Sequence, residues 1–201
     1  MIIALNIPPP SVKIINAVNR IASVAPHELE LKAIHDKFQD YSINSVSRKF
    51  IENDEELNEV AQAEFSGLFK EKFKPAAGIV KNISTKDRYA CWPPHSDRVR
   101  IFALNYYIQE GGQNVTTIMY KKFGNYDVGT GTGQIFRYNE LDIDKTYHLQ
   151  VNKWYALSVR QAHSIENIET TRLIFTLSFF DLTCEEFLKK YQHYVEKNSS
   201  N

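Results

Sequence analysis

Apolar residues repeat at two different periods along this chain, and the change falls near Pro75. Before it the spacing is helical. From Ser11 to Ala22, positions Val12, Ile15, Val18, Ile21 and Ala22 fall on one helix face, with Ser11 placed to cap it. From Asp54 to Phe73, the stripe Leu57, Val60, Ala61, Phe65, Leu68, Phe69 and Phe73 predicts a second amphipathic helix, stopped by Pro75. Residues 2 to 6 read as a short strand. Between Pro26 and Phe50 the signals conflict: Glu28 to Phe38 suits a helix, Tyr41 to Ile51 carries β-branched and aromatic residues, and the stretch stays mixed.

After Pro75 the chain reads as strands. They are Gly78 to Ile83, Arg88 to Trp92, Val99 to Ile108, Thr116 to Lys121, Gln134 to Tyr138, Thr146 to Val151, Trp154 to Val159, His163 to Ile168 and Thr171 to Phe180. A last helix, Cys184 to Val195, starts behind Thr183, with Glu186 three residues on completing a capping box. Helices first and strands after predict an α+β class, mainly β: a barrel or sandwich buttressed by N-terminal helices.

Composition narrows this picture. The 201 residues fit one domain, and 43% hydrophobic residues suffice for a sizeable core. Lys plus Arg equals Asp plus Glu at 24 each, so no global field draws the chain to nucleic acid or to an anionic membrane. Cys91 and Cys184 are too few for a disulfide framework. The apolar N-terminal run ends at Pro8-Pro9-Pro10, too short for a signal peptide or a membrane span. A cytoplasmic protein is expected.

Candidate chemistry centres on His95-Ser96-Asp97. In extended backbone, side chains two apart point to the same face, so His95 and Asp97 can offer a nitrogen and an oxygen to one metal ion. His163, at the head of another strand, is the best third donor. Two histidines and a carboxylate with open positions form the ligand set of non-haem Fe(II) oxygenases. Each motif alone is bland: a histidine is more often a core residue, an HxD more often a solvated turn. The last two strands raise the odds. With Glu169-Thr170 as a two-residue hairpin loop, His163 pairs with Thr176 and Asn167 with Arg172, so all four share one face. Arg172 then lies about 13 Å along from His163, a gap that a dicarboxylate spanning metal and guanidinium would bridge.

The stretch from Gly78 to Phe180 resembles the Fe(II)/2-oxoglutarate-dependent oxygenases, in particular the prolyl-hydroxylase-like branch. The resemblance rests on His95-Ser96-Asp97, the strand from Arg100 to Tyr106-Tyr107-Ile108, Gly111-Gly112, Thr116-Thr117-Ile118-Met119-Tyr120, and His163 followed by Arg172. It implies a double-stranded β-helix (jelly roll) core over residues 76 to 181. Residues 1 to 75 would support that core, and 182 to 201 would form a C-terminal helix and tail. Iron would be held by His95, Asp97 and His163, and the distal carboxylate of 2-oxoglutarate by Arg172. Tyr107 is the expected hydroxyl partner of that carboxylate, with Tyr106 an alternative, and Asn105 and Tyr120 are further pocket candidates. Residues 122 to 145 are an insertion, whose Gly124, Gly129, Gly131 and Gly133 suit a mobile hairpin or lid.

The activity implied is a dioxygenase that uses Fe(II), 2-oxoglutarate and O2 to hydroxylate a C–H bond of an amino acid, a peptidyl residue or another small substrate, releasing succinate and CO2. One alternative is a sensor or inactive relative that binds 2-oxoglutarate and metal without turnover. A second is a nucleic-acid demethylase of the same fold, which the balanced charge disfavours. A cupin-like metalloprotein fits less well, because the chain lacks HxH spacing.

Overall fold

The computed structural model describes residues 1–24, 46–83, 88–97, 99–121, 134–136 and 141–196. The helix expected from Glu28 to Phe38 and the lid glycines at 124, 129, 131 and 133 lie outside the described residues. The elements run β1 (Ile2–Leu5), α1 (Val12–Val24), β2 (Val46–Ile51), α2 (Glu55–Phe65), β3 (Lys74–Asn82), β4 (Ala90–Ser96), β5 (Phe102–Glu110), β6 (Thr116–Tyr120), β7 (Gln134–Ile135), β8 (Ile143–Tyr147), β9 (Trp154–Leu157), β10 (His163–Ile168), β11 (Thr171–Phe179) and α3 (Cys184–Lys190). A single 3-10 turn, Gln192–Tyr194, follows α3.

The strands form two antiparallel sheets: six in the order β1-β9-β5-β11-β3-β2, and five in the order β7-β4-β10-β6-β8. Both faces of the six-stranded sheet are used, and the period of two along β11 shows how. Leu173, Phe175, Leu177 and Phe179 join a large apolar cluster with Ile14, Ala17, Val18 and Ile21 of α1, Leu57, Ala61 and Phe65 of α2, and Phe187 of α3. The alternate residues Arg172, Thr176 and Ser178 belong to the opposite face and are also buried. Trp154 anchors the helix side, with its ring edge-on to Phe65 at 5.5 Å and its indole N–H donating to the Pro8 carbonyl at 2.9 Å. Among the described residues, no helix is long and apolar enough to cross a membrane.

Several expectations shift on inspection. The buried stripe of α1 is Ile14, Ala17, Val18 and Ile21, and Val12 is 73% exposed. Ser11 does not cap through its side chain: its hydroxyl is buried without a partner among the described residues, while its backbone N–H donates to Glu64. The second helix ends at Phe65, and a turn then delivers Phe69 and Phe73 to the same cluster. Asp54 caps α2 by accepting from the Leu57 N–H at 2.9 Å, and Arg20 of α1 grips the same carboxylate at 2.7 Å. The Thr183–Glu186 capping box forms as expected, but α3 ends at Lys190. The strand β4 runs on through Pro93, Pro94 and His95, and β8 begins earlier than Thr146.

The predicted terminal hairpin does not form. Strand β10 pairs with β4 and β6, while β11 pairs with β3 and β5, so the two adjacent strands lie in different sheets. His163 faces His95 and Met119 in register rather than Thr176, and Arg172 faces Val80 and Glu110 rather than Asn167. Asn167 adopts a positive φ of 58° as the chain leaves β10. The N–H groups of Glu169 and Thr170 both donate to the Gly111 carbonyl, each at 2.8 Å, which ties the crossing to the turn after β5.

That turn needs glycine. Gly111 has φ +93°, and a Cβ there would meet the Arg172 Cβ at 3.0 Å. Gly111→Ala should therefore lower unfolding stability by about 1–3 kcal/mol in urea titration. An unchanged midpoint would mean that the turn relaxes without cost and does not seat the start of β11.

Candidate functional site

The polar inner face of the six-stranded sheet and the facing sheet enclose a cavity of about 60 Å3. His95, His163 and Thr117 line it from one sheet, and Arg172, Asn105 and Tyr107 from the other. Arg172 and His163 thus meet in one space, but across the gap between sheets rather than along a shared hairpin face.

The local sequence around His95 explains how its ring is held. Pro93 and Pro94 have no N–H to offer the ladder, and the β10–β4 register shifts between His163 and Ile165 at this point. The Pro94 carbonyl accepts from the Phe136 N–H, and the Pro93 carbonyl accepts from His95 Nδ1 at 2.9 Å. His163 repeats the device, with Nδ1 on the Gln161 carbonyl at 2.9 Å. A carbonyl can only accept, so both imidazoles carry their proton on Nδ1 and keep the Nε2 lone pair. Among the described residues no hydrogen bond uses either Nε2. The ring centroids lie 4.3 Å apart. Burial depresses both imidazole pKa values, His95 well below the usual range, with the His163 and Arg48 charges adding to the effect there. Two neutral, carbonyl-anchored imidazoles side by side could offer two nitrogen ligands to a metal ion.

Asp97 is placed differently. Its N–H donates to the Val159 carbonyl, and its carboxylate receives Arg100 at 2.5 Å. Burial alone would raise the Asp97 pKa, but Arg100 foremost, then the histidines and Arg48, outweigh it and hold the group at about 2. Asp97 is therefore ionised and within electrostatic reach of both rings. Among the described residues, however, no three His, Cys, Asp or Glu side chains converge at metal-ligand spacing. The two histidines come together; the carboxylate faces Arg100.

Arg172 is 4% exposed, donates to Thr117 Oγ1 at 2.8 Å, and lies with its guanidinium carbon 4.7 Å from the centre of the Tyr107 ring. It has no ion pair among the described residues. Asn105 lines the same space with a buried Oδ1 that has no partner among the described residues, and so does Trp92 with its indole N–H. Orphaned buried polar atoms beside a buried cation suit an anionic, hydrogen-bonding ligand.

Two pocket candidates are corrected. Tyr120 is absent from the cavity lining: it points away with Ile118, packs with Phe136, Leu141 and Ala162, and its hydroxyl bonds Ser164 at 3.0 Å. The alternation along β6 gives the cavity to Thr117 instead. Tyr106 likewise belongs to the helix-side cluster, which leaves Tyr107 on the cavity side. Arg48 and Arg100 also line the cavity, and the sequence reading singled out neither as a site residue.

No family model and no curated protein matches the sequence. Solved structures do match in fold. A prolyl hydroxylase from Trichoplax adhaerens, in complex with a hypoxia inducible factor oxygen degradation domain peptide fragment, aligns with TM-score 0.52 at 13% identity, over 90% of this chain and 83% of that one. The epimerase SnoN, in complex with Fe3+, alpha-ketoglutarate and nogalamycin RO, aligns with TM-score 0.49 at 12% identity over 90% and 78% of the two chains. A Pseudomonas putida prolyl-4-hydroxylase gives 0.36 at 16% identity over 83% and 98%. The first of these carries the comparison, and it is a statement about architecture: the chain shares the double-stranded β-helix fold of that prolyl hydroxylase.

The depressed imidazole pKa values have a pH consequence. Both folded values lie below the unfolded one, near 6.5, so the unfolded chain binds more protons as pH falls through that point. The metal-free protein should lose stability from about pH 6.5 downward, with a second loss from about pH 4 toward 2 as Asp97 protonates. Thermal midpoints of the parent and of a His95→Gln, His163→Gln double variant check this: the variant's slope around pH 6 should be shallower. Equal slopes would mean that the rings titrate as they do in the unfolded chain.

Proposed function

We propose that this chain is a non-haem Fe(II)- and 2-oxoglutarate-dependent dioxygenase that hydroxylates a C–H bond of a small molecule or peptide residue. The observation that carries the reading is the buried Arg172 guanidinium in the same cavity as two neutral imidazoles whose Nε2 atoms are unengaged. The fold points the same way.

In this reading His95 and His163 would supply two nitrogens to the iron and Asp97 a carboxylate oxygen, which in this structure is paired with Arg100. Arg172 holds the distal carboxylate of 2-oxoglutarate. Thr117 and Tyr107 keep the guanidinium oriented, and Asn105 offers a further polar contact. Bound iron and 2-oxoglutarate would supply the oxidising power, with one oxygen atom of O2 entering succinate as CO2 leaves and the other entering the substrate. The chain's own share is to orient the co-substrate and to keep bulk water from the buried carboxylate.

A second reading is a sensor that binds 2-oxoglutarate without turnover. The Asp97–Arg100 ion pair favours it, because a carboxylate already satisfied by a guanidinium is a weaker third ligand.

Two sets of variants separate these readings. His95→Ala and His163→Ala should each abolish stoichiometric Fe(II) binding while thermal unfolding stays cooperative. Arg172→Ala should raise the Kd for 2-oxoglutarate in the Mn(II)-loaded protein about a hundredfold or more, and Arg172→Lys by less. Unchanged affinity in Arg172→Ala would remove the co-substrate assignment. Tight 2-oxoglutarate binding with no succinate formed across a substrate panel would select the sensor.

A further inference from the structure

A glycine decides the shape of the cavity floor between Arg172 and the two histidines. Gly78 of β3 stands in register with Phe50 of β2 on one side and Ile174 of β11 on the other, and Ile174 in turn with Tyr107 of β5. All four line the cavity. Residues opposite one another in an antiparallel ladder project from the same face, so they form one cross-strand row. A bulge completes that row: the β11–β5 register slips between Leu173 and Ile174, passes over Ile108, and brings Tyr107 beside Ile174.

Ile174 lies down over Gly78. A Cβ at position 78 would stand 2.6 Å from Ile174 Cγ1 and 2.8 Å from its Cδ1. Two carbons make contact at roughly 3.5 Å, so Ile174 occupies space that any other residue at 78 would fill. The isoleucine thus leans toward β3. The Arg172 guanidinium, two residues earlier on the same face, leans the other way, with its carbon 4.7 Å from the centre of the Tyr107 ring.

The registers place Ile174 between the two anchors of the proposed co-substrate. On the facing sheet His163 pairs with His95, and two residues along β10 Ile165 pairs with Thr117, the residue that accepts from Arg172. The guanidinium and the imidazoles are therefore one strand repeat apart, roughly 7 Å. The histidine end of the cavity is the Ser178 end of β11: Asp97 donates to the Val159 carbonyl, and Leu157 connects through Ala103 to Ser178. Going from Arg172 toward that end, Ile174 is the next inner-face residue of β11. A dicarboxylate held by Arg172 and facing the imidazoles lies over this side chain.

We propose that Ile174 sets the length of 2-oxoacid that the cavity accepts, with Gly78 as the positioning residue that lets it lie flat. This rests on the dioxygenase reading. Both anchors are fixed by the sheets, so an acid one methylene longer than 2-oxoglutarate has to bow between them, and the apolar floor at Ile174 resists the bow. Cutting Ile174 back to alanine removes Cγ1, Cγ2 and Cδ1 from that floor. A methyl group at position 78 does the reverse, because it lifts Ile174 into the gap.

The test titrates the full-length protein, loaded with Mn(II), calorimetrically with 2-oxoglutarate and with 2-oxoadipate, the homologue longer by one methylene. The parent should favour 2-oxoglutarate by about tenfold or more, the usual worth of one misfitting methylene in an apolar pocket. Ile174→Ala should reduce the ratio of the two Kd values about tenfold and Ile174→Val by less, while Mn(II) affinity stays within about twofold. Gly78→Ala should weaken 2-oxoglutarate about tenfold in the parent and leave it nearly unchanged in the Ile174→Ala background, where the added Cβ meets neither Cγ1 nor Cδ1. Residues that served only the fold would move both acids alike, and their effects would add instead of cancelling. No preference in the parent, an unchanged Kd ratio in both Ile174 variants, or an equal cost of Gly78→Ala in the two backgrounds would overturn the proposal. Failure of 2-oxoglutarate itself to bind the parent is a different result: it removes the dioxygenase reading, and this inference with it.

Discussion

A guanidinium buried between two β-sheets is the constraint on which the rest of this structure depends. Arg172 cannot shed its charge, and removing it from water costs several kcal/mol unless neighbours restore what water gave. Thr117 accepts one of its N–H groups and the Tyr107 ring lies against its face, but neither is a counter-charge. The surroundings must therefore be polar. Asn105, Thr176 and Ser178 follow on the same inner face, where a sandwich built only for stability would place valine and leucine.

Stability has to come from elsewhere, and the outer face of the same sheet supplies it. There Phe65, Phe69, Trp154, Phe175, Phe179 and Phe187 form a continuous aromatic cluster under the three helices. Each such ring buries a large apolar area, worth about 2–3 kcal/mol apiece on area grounds. The helices are thus more than packing. They allow the inner face to carry buried polar residues, because the outer face is covered by an apolar cluster.

On the opposite sheet the same division is made residue by residue. The prolines of β4 interrupt the ladder, and a carbonyl at that interruption accepts from the His95 ring, so the irregularity that weakens the sheet also fixes the imidazole tautomer. Asp97 is the one proposed ligand whose position is set by a competing charge, and the Arg100 pairing makes the carboxylate rather than the histidines the adjustable member of the set.

The sequence alone determined the class and the cast. Periods of 3.6 and 2 marked α1, α2 and most strands, because amphipathic spacing is a local property of how side chains leave a helix or a strand. The capping box at Thr183 was legible for the same reason: its partners are three residues apart. His95, His163 and Arg172 stood out by type and spacing, whereas the Thr116–Tyr120 run was read as offering Tyr120, and only the orientation of β6 in its sheet gives the cavity to Thr117. Only the tertiary structure decided that β10 and β11 belong to different sheets, because two strands with a two-residue link can form a hairpin or a crossover, and the choice lies in contacts such as those of Glu169 and Thr170 with Gly111. It also decided that Arg48, far away in sequence, stands in register with Arg172 through Val80. Strand pairing is set by the burial of whole sheet faces against distant helices and a second sheet, and no local pattern records it.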